Sequence, residues 1–405
     1  IRALTSSSNG LEKRPKLAFR RADGSSFPSW SRTSLSSIIE PYSEKVYGEH
    51  KYEVLTSSRE GLQRQVDHFG SEQRHDTDGY NVIPFGYCTY RNRSDDGRFA
   101  FNINTISSNA IVSKFYPVFR FTNANSLFMS EFLNSSSRAK KKLSVLAVGT
   151  SQVVLSFEAL KAAEFDLPCK DEQDKIASFF ECLNRRIEYQ RTLVDALKKY
   201  KRGLVFQVFK ENNPFGIEVK PVPMTELLAE YRNRNTSGLR VCSVAVNKGV
   251  VDQIEHLGRS FSAADTSNYG RVKPGDVVYT KSPTGSFPYG IVKQNFLNEE
   301  VAVSPLYGVY TPCSRDIGYL LHIYFEQHQN ANNYIRTLAQ KGAKNTINIS
   351  TAHFLEKSIT FPTHEENIAF LANMFSKVTA KIAQTETEYD LLCSQRLAFM
   401  LQLFI

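Results

Sequence analysis

Two helical heptad seams, 195 residues apart, constrain this 405-residue chain more than any other feature. The first runs from about Asp171 to Lys210 through Ile176, Phe180, Leu183, Ile187, Gln190, Val194, Leu197, Lys201, Leu204 and Val208. The second runs from about Glu365 to the C-terminus through Leu371, Phe375, Val378, Ile382, Thr385, Tyr389, Leu392, Arg396, Phe399 and Leu403. Both step 4, 3, 4, 3, the spacing that holds one stripe of a helix against another helix. Every position of the second lies 195 beyond its counterpart, and the polar breaks coincide, Gln190 with Thr385 and Lys201 with Arg396. Both helices close alike, on Gln207-Val208-Phe209 and Gln402-Leu403-Phe404. A strand-like run ending in proline precedes each, Phe165 to Pro168 and Ile359 to Pro362, and before those stand Ser156 and Ser350, 194 apart.

A helix of about 40 residues spans about 60 Å, more than a globular domain usually holds against its own core. The two helices are therefore expected to pack on each other as a coiled coil. If a pseudo-twofold axis relates the repeats, the pair is antiparallel with one globular domain at each end. The upstream segments repeat more loosely. Tyr80 to Tyr90 echoes Tyr269 to Tyr279, with Gly86 on Gly275 and Tyr90 on Tyr279. Ile111 to Phe121 and Val301 to Thr311 both read as strands, Leu127 to Asn134 and Gly318 to Gln340 as helical stretches. The expected fold class is α+β: two similar β-rich globular domains separated by a long antiparallel two-helix coiled coil, an internal pseudo-twofold repeat.

Composition adds little. The net charge of +9 favours a polyanionic partner only weakly. The six cysteines show no C-x-x-C spacing, which speaks against a zinc ribbon or a disulfide framework and for reduced thiols in the cytoplasm. No apolar run reaches the 18 residues of a membrane span. The Ser-rich opening, Ile1 to Pro15, has no initiator Met and no signal-peptide core, and is expected to begin inside the native chain or after processing.

An enzyme needs a site, and none emerges. Val148-Gly149-Thr150 has one glycine where a phosphate or adenosylmethionine loop needs a cluster. Asn213-Pro214-Phe215 lacks the second proline of the adenine methyltransferase motif and follows a long helix, as a linker does. Glu218-Val219-Lys220 has the Glu-x-Lys spacing of metal-dependent nucleases without an upstream Pro-Asp. The acids of His364-Glu365-Glu366 fall in a first helical turn, where they suit the dipole. No metal site or catalytic residue is assigned.

The helix openings carry a family resemblance. Pro168-Cys169-Lys170-Asp171-Glu172-Gln173-Asp174-Lys175-Ile176-Ala177 resembles the Pro-x(3)-Glu-Gln-x-x-Ile-Ala start of the conserved helix in specificity subunits of type I restriction–modification systems. Leu183-Asn184-Arg185-Arg186-Ile187 is similar to their Leu-Asp-x-x-Ile step, and Leu204 to Phe209 to their helix close. Pro15 to Arg20 followed by Trp30 resembles their usual opening. The second copy departs, with Glu366-Asn367-Ile368 for the Glu-Gln start and Thr379 where Asp is usual. The resemblance implies target recognition domains at 1–169 and 212–362, with conserved spacer helices at 170–211 and 363–405. It implies a chain without catalysis of its own that binds a bipartite site on double-stranded DNA. Partners would be two adenine-N6 methyltransferase (modification) subunits and restriction/translocase subunits, which use S-adenosylmethionine, ATP and Mg; this chain needs no cofactor.

Reading base edges requires a few side chains on loops, with cations on phosphates. Candidates in the first domain are Arg59, Arg91, Asn92, Arg93 and Gln152; in the second, Lys248, Lys281, Ser282, Lys344 and Asn345. Arg138, Lys140, Lys141 and Lys142 form a basic run that reads as a solvated helix end. The main competing class is a coiled-coil adaptor with two peptide-binding end domains; a second is the recognition part of a fused restriction–methylation enzyme. If the helices act as a ruler, inserting four residues into both (about 6 Å) widens the unread gap by about one to two base pairs. Footprinting checks this, and an unchanged gap counts against the ruler.

Overall fold

The computed structural model describes residues 2–3, 17–71, 76–259, 262, 265–341 and 347–404. The chain forms two compact units, one of residues up to 190 together with those from 388, the other of residues 191–387. Both long helices have 39 residues, Lys170–Val208 and Glu365–Leu403, so each contributes to both units.

Each unit is built on the same four-stranded antiparallel sheet. In the first its order is Phe101–Ile103, Cys88–Tyr90, Val118–Phe121, Ile39–Tyr42. In the second it is Val292–Gln294, Val277–Tyr279, Gly308–Pro312, Leu228–Glu230. Tyr90 and Tyr279 end equivalent strands and are fully buried. Their hydroxyls donate to the carbonyls of Leu155 (3.0 Å) and Tyr289 (2.7 Å), which satisfies the one polar atom each ring carries into the core. Ser156 and Ser350 cap equivalent short helices, accepting from the N–H of Ala159 and His353. An edge strand follows each, Glu164–Leu167 paired with Ser31–Ser34 and Ser358–Pro362 paired with Val219–Pro223.

Two details differ from the sequence expectation. The runs at 111–121 and 301–311 are each two strands, Ala110–Val112 and Val118–Phe121 in one unit, Val301–Val303 and Gly308–Pro312 in the other. A tight turn interrupts each, centred on Lys114-Phe115 and Pro305-Leu306, and a proline cannot donate to a continuing ladder. The stretch 318–340 holds two helices, Arg315–Glu326 and His328–Ile335, broken at Gln327, which has extended backbone. A further repeat escapes the sequence reading: Gln65-Val66-Asp67-His68-Phe69-Gly70 and Gln253-Ile254-Glu255-His256-Leu257-Gly258 form the same helical turn after equivalent hairpins. Insertions have moved their offset to 188.

Within each unit the two long helices run antiparallel. In the first, Phe180 stacks on Phe404 at 5.9 Å, Phe179 meets Phe399 at 5.2 Å, and Gln190 Nε2 donates to Glu388 at 2.8 Å. In the second, Lys198 pairs with Glu386 at 2.7 Å, while Leu204 and Val208 share a core with Leu371 and Phe375. Every apolar seam position is buried or half-buried, and each fully buried Leu, Ile or Phe contributes about 1.5–3 kcal/mol.

The polar breaks in the seam have partners. Arg396 donates to Asn184 Oδ1 (2.6 Å) on the facing helix and to Glu131 (2.5 Å) on the domain helix Ser126–Ser135. Lys201 pairs with Glu326 (2.6 Å) on the equivalent helix Arg315–Glu326. Glu131 and Glu326 are themselves 195 apart, so the duplication preserved both ends of the contact. Thr385, fully buried, donates to the carbonyl of Lys381 at 2.7 Å.

The Glu-Gln start of the first helix ties it to its domain. Gln173 donates to the Pro168 carbonyl (2.9 Å) and accepts from the N–H of Asn125 (2.9 Å), whose side chain caps Ser126–Ser135. In the second copy Ile368 takes that place and joins the apolar core. Glu172 is only 6% exposed and its Oε2 has no partner. Burial pushes its carboxyl up to about 6, against a partial offset from its hydrogen bond with Trp30. The folded state therefore takes the proton before the unfolded state does, and the carboxylate opposes folding above about pH 6. That opposition fades as the pH falls toward the unfolded value of 4.5. Glu172→Gln is expected to stabilise the protein at pH 8 by roughly 1–2 kcal/mol and by much less at pH 5. Denaturation at the two pH values checks this; an equal change at both would assign the effect to packing.

Candidate nucleic-acid interface

In the first unit three loops converge. The hairpin Glu53–Ser58 and Gly61–Arg64 carries Arg59 at its tip. Strand Cys88–Tyr90 runs out into Arg91-Asn92-Arg93. Arg93–Ser94 then pairs antiparallel with Val153–Val154, which brings the turn at 149–152 beside it. Gln152 Nε2 donates to Asp95 at 3.0 Å. The turn depends on Gly149, with φ 140°: a Cβ there would lie 2.3 Å from the Gln152 carbonyl oxygen. The glycine that does not make a nucleotide loop thus sets the position of Gln152.

Arg59, Arg91, Arg93 and Arg98 line one cavity of about 110 Å³. Asp96 organises two of them, pairing with Arg59 at 2.7 Å and Arg98 at 3.8 Å. Its carboxyl is held below the usual range, first by the Ser94 hydroxyl and then by the Arg98 N–H and Arg59. Arg93 lies over the ring of Phe115, 5.3 Å from its centroid. Arg91 is exposed and has no partner among the described residues. Asn92 is half-buried, and its Oδ1 is buried without a donor. Guanidinium groups so placed can bond phosphate oxygens or the O6/N7 edge of guanine.

The second unit presents different side chains on the same frame. Lys248 lies in the hairpin tip between Cys242–Ala245 and Gly249–Asp252, the counterpart of the tip that carries Arg59, and is exposed. Strand Val277–Tyr279 leads into Thr280, Lys281 and Ser282, the places of Arg91, Asn92 and Arg93. Thr280 is buried, its hydroxyl accepting from the N–H of Ile291 at 3.1 Å. Lys281 is half-buried with a left-handed φ of 52°, a strained geometry for a side chain of this size. Burial lowers its pKa, with Glu230 opposing that shift and Arg232 adding to it. Ser282 is half-buried. Among the described residues no hydrogen bond or ion pair joins Lys248 to Lys281. Lys344 and Asn345 lie outside the described residues. Asn247, beside Lys248, lines a cavity of about 590 Å³ with Lys198, Lys201 and Arg202; both lysines are already paired with glutamates.

The set-aside motifs have structural roles. Asn213 is buried and closes a turn, its Oδ1 accepting from the N–H of Ile217 (3.1 Å) and its Nδ2 donating to the Ile217 carbonyl (2.6 Å). Glu218 pairs with Lys220 (2.6 Å) and His364 (2.9 Å) at the surface. Among the described residues no acid, His or Cys cluster could hold a metal, and no helix is long and apolar enough to cross a membrane. The basic run lies on helix Ser137–Leu146, where Lys142 donates to the Glu164 carbonyl at 2.8 Å.

Residues 40–199 match the family model of the type I restriction modification DNA specificity domain. That stretch is less than half of the chain, and over it the chain is similar to the type I specificity domain. Solved structures share the fold across nearly the whole chain. A type I restriction–modification S subunit from M. genitalium matches 97% of this chain and 99% of its own, at 12% identity and a TM-score of 0.56. A structure concerned with assembly and conformational transition of the type I R-M system matches 93% of this chain and 98% of its own, at 16% identity and a TM-score of 0.51. No curated protein matches. The matched model is described as a DNA specificity domain, a likeness that favours DNA over a peptide as the ligand. Since Arg91 has no partner among the described residues, Arg91→Ala is expected to leave thermal stability within about 0.5 kcal/mol while weakening duplex binding by about 1–3 kcal/mol. Parallel melting and titration measurements separate the two; unchanged binding would remove Arg91 from the interface.

Proposed function

We propose that this chain is a specificity subunit of a type I restriction–modification system, reads two unlike half-sites on double-stranded DNA, one with each unit, and has no catalytic centre of its own. The observation that carries the reading is the pairing of one scaffold with two sets of loop side chains. Arg91, Asn92 and Arg93 in the first unit correspond to Thr280, Lys281 and Ser282 in the second, and the hairpin tip with Arg59-Glu60 to the one with Asn247-Lys248. A duplicated frame that kept its buried tyrosines, caps and ion pairs but changed these loops is suited to two different base sequences. Arg59, Arg91, Arg93 and Gln152 would serve the first half-site; Lys248, Lys281, Ser282, Lys344 and Asn345 the second. Asn92 would join its set if DNA supplies a donor for its buried Oδ1.

The paired helices would dock two adenine-N6 methyltransferase subunits, with restriction/translocase subunits joining for cleavage, in the cytoplasm where the DNA is. Adenosylmethionine, ATP and Mg would belong to those partners. Methylation sequencing of a host carrying the chain with its partners is expected to show modified adenines in an asymmetric, interrupted motif. Exchanging residues 212–362 for those of a relative is expected to alter one half of the motif and keep the other. A change in both halves, or in neither, would refute the assignment of one half-site to each unit.

A further inference from the structure

The reading loops leave two surface features unexplained. In the first unit the strands Ala110–Val112 and Val118–Phe121 are joined through Ser113-Lys114-Phe115-Tyr116. In the second, Val301–Val303 and Gly308–Pro312 are joined through Ser304-Pro305-Leu306-Tyr307, 191 positions on. The same bonds build both turns. Tyr116 N–H donates to the Ser113 carbonyl (2.9 Å) and Tyr307 N–H to the Ser304 carbonyl (3.0 Å). Each serine hydroxyl accepts from the N–H two residues on, that of Phe115 at 3.4 Å and of Leu306 at 3.3 Å. In the first unit Asn81 also donates to the Tyr116 carbonyl at 2.9 Å, while Pro305 stiffens the second turn. Both turns are thus held, and each presents a large apolar side chain to solvent: Phe115 is 52% exposed and Leu306 71%.

One exposed apolar residue is unremarkable. The same position apolar and exposed in both copies, on turns with the same bonding, calls for an occupant. Charge chooses it. Arg93 and Lys114 lie 5.3 and 5.7 Å from the Phe115 ring centroid, and Arg93 also lines the arginine cavity, so the tip is continuous with the cationic surface. Val66 and Ile254 are also exposed in both copies, but each is followed by an acid, Asp67 or Glu255, which phosphates would repel. Phe and Leu are among the side chains that wedge between base steps and unstack them.

We propose that Phe115 and Leu306 are DNA wedges, each entering one base step of the half-site its unit reads. This rests on the DNA-reading function above. The test uses the specificity chain assembled with its methyltransferase subunits. The probe is a duplex carrying the motif found by methylation sequencing, with 2-aminopurine placed in turn along both half-sites. The wild-type complex is expected to raise the emission at one step in each half-site. Phe115→Ala loses the rise in the first half-site only, Leu306→Ala in the second only, and Phe115→Trp retains it. The proposal is overturned if the wild-type complex binds the motif with no position brightening, or if both alanine variants keep the wild-type pattern. It is also overturned if Phe115→Ala sheds methyltransferase subunits with the emission pattern intact, which would make the tip a protein contact. A wild-type complex that does not prefer the motif over a scrambled duplex would overturn the DNA reading itself, and the wedges with it.

Discussion

The apolar stripe repeated every seven residues on two helices is the constraint from which the rest of this structure follows. Neither helix can bury that stripe alone over 39 residues. Each unit resolves the problem by closing its core over part of both helices. Phe180, Met400, Leu403 and Phe404 belong to the core that holds Phe128 and Phe132, and Leu204, Val208, Leu371 and Phe375 to the core that holds Tyr279 and Phe354. The helices are therefore part of what makes each β-rich domain stable, because the sheets are made of strands three to five residues long that need a covered face.

Duplication tells apart what the scaffold needs and what it leaves open. The paired tyrosines, the serine caps and the cation on each long helix reaching a glutamate on the domain helix occur in both units. All are internal devices that satisfy a buried polar group or fix an element. The loop side chains that project from this frame differ between the units. Under the proposed function, variation at the loops over a fixed frame is what reading two unlike sequences would require.

Much of this was legible in the sequence because helical periodicity is dense and local. The 195-residue offset located both helices and their seams, and the serines 194 apart proved to be helix caps. The domains were harder, since their repeat offset drifts through insertions; the turn at Gln65–Phe69 and its partner at Gln253–Leu257 were missed for that reason. The joining of Arg59, Arg91 and Arg93 in one cavity was invisible, because it depends on contacts between the 53–64 hairpin and residues some forty positions on, Asn102 to Ser57 and Arg59 to Asp96. The turn that divides each expected strand at 111–121 and 301–311 was missed although Pro117 and Pro305 mark it, because Phe115-Tyr116 and Leu306-Tyr307 carry the apolar character across.

The two joints between helix and domain have not stayed identical. Arg396 is a planar fork that grips Asn184 and Glu131 together, whereas Lys201 is a point charge with one carboxylate to hold. A fork bound on two sides resists twisting as well as separation; a single ammonium–carboxylate contact resists only separation and lets its partner swivel. The second joint has other bonds beside its lysine, Gln327 Nε2 to the Arg202 carbonyl (3.3 Å) and the Tyr319 hydroxyl to Thr379 (3.2 Å), so a restraint that one forked side chain supplies in the first unit is divided among three separate side chains in the second.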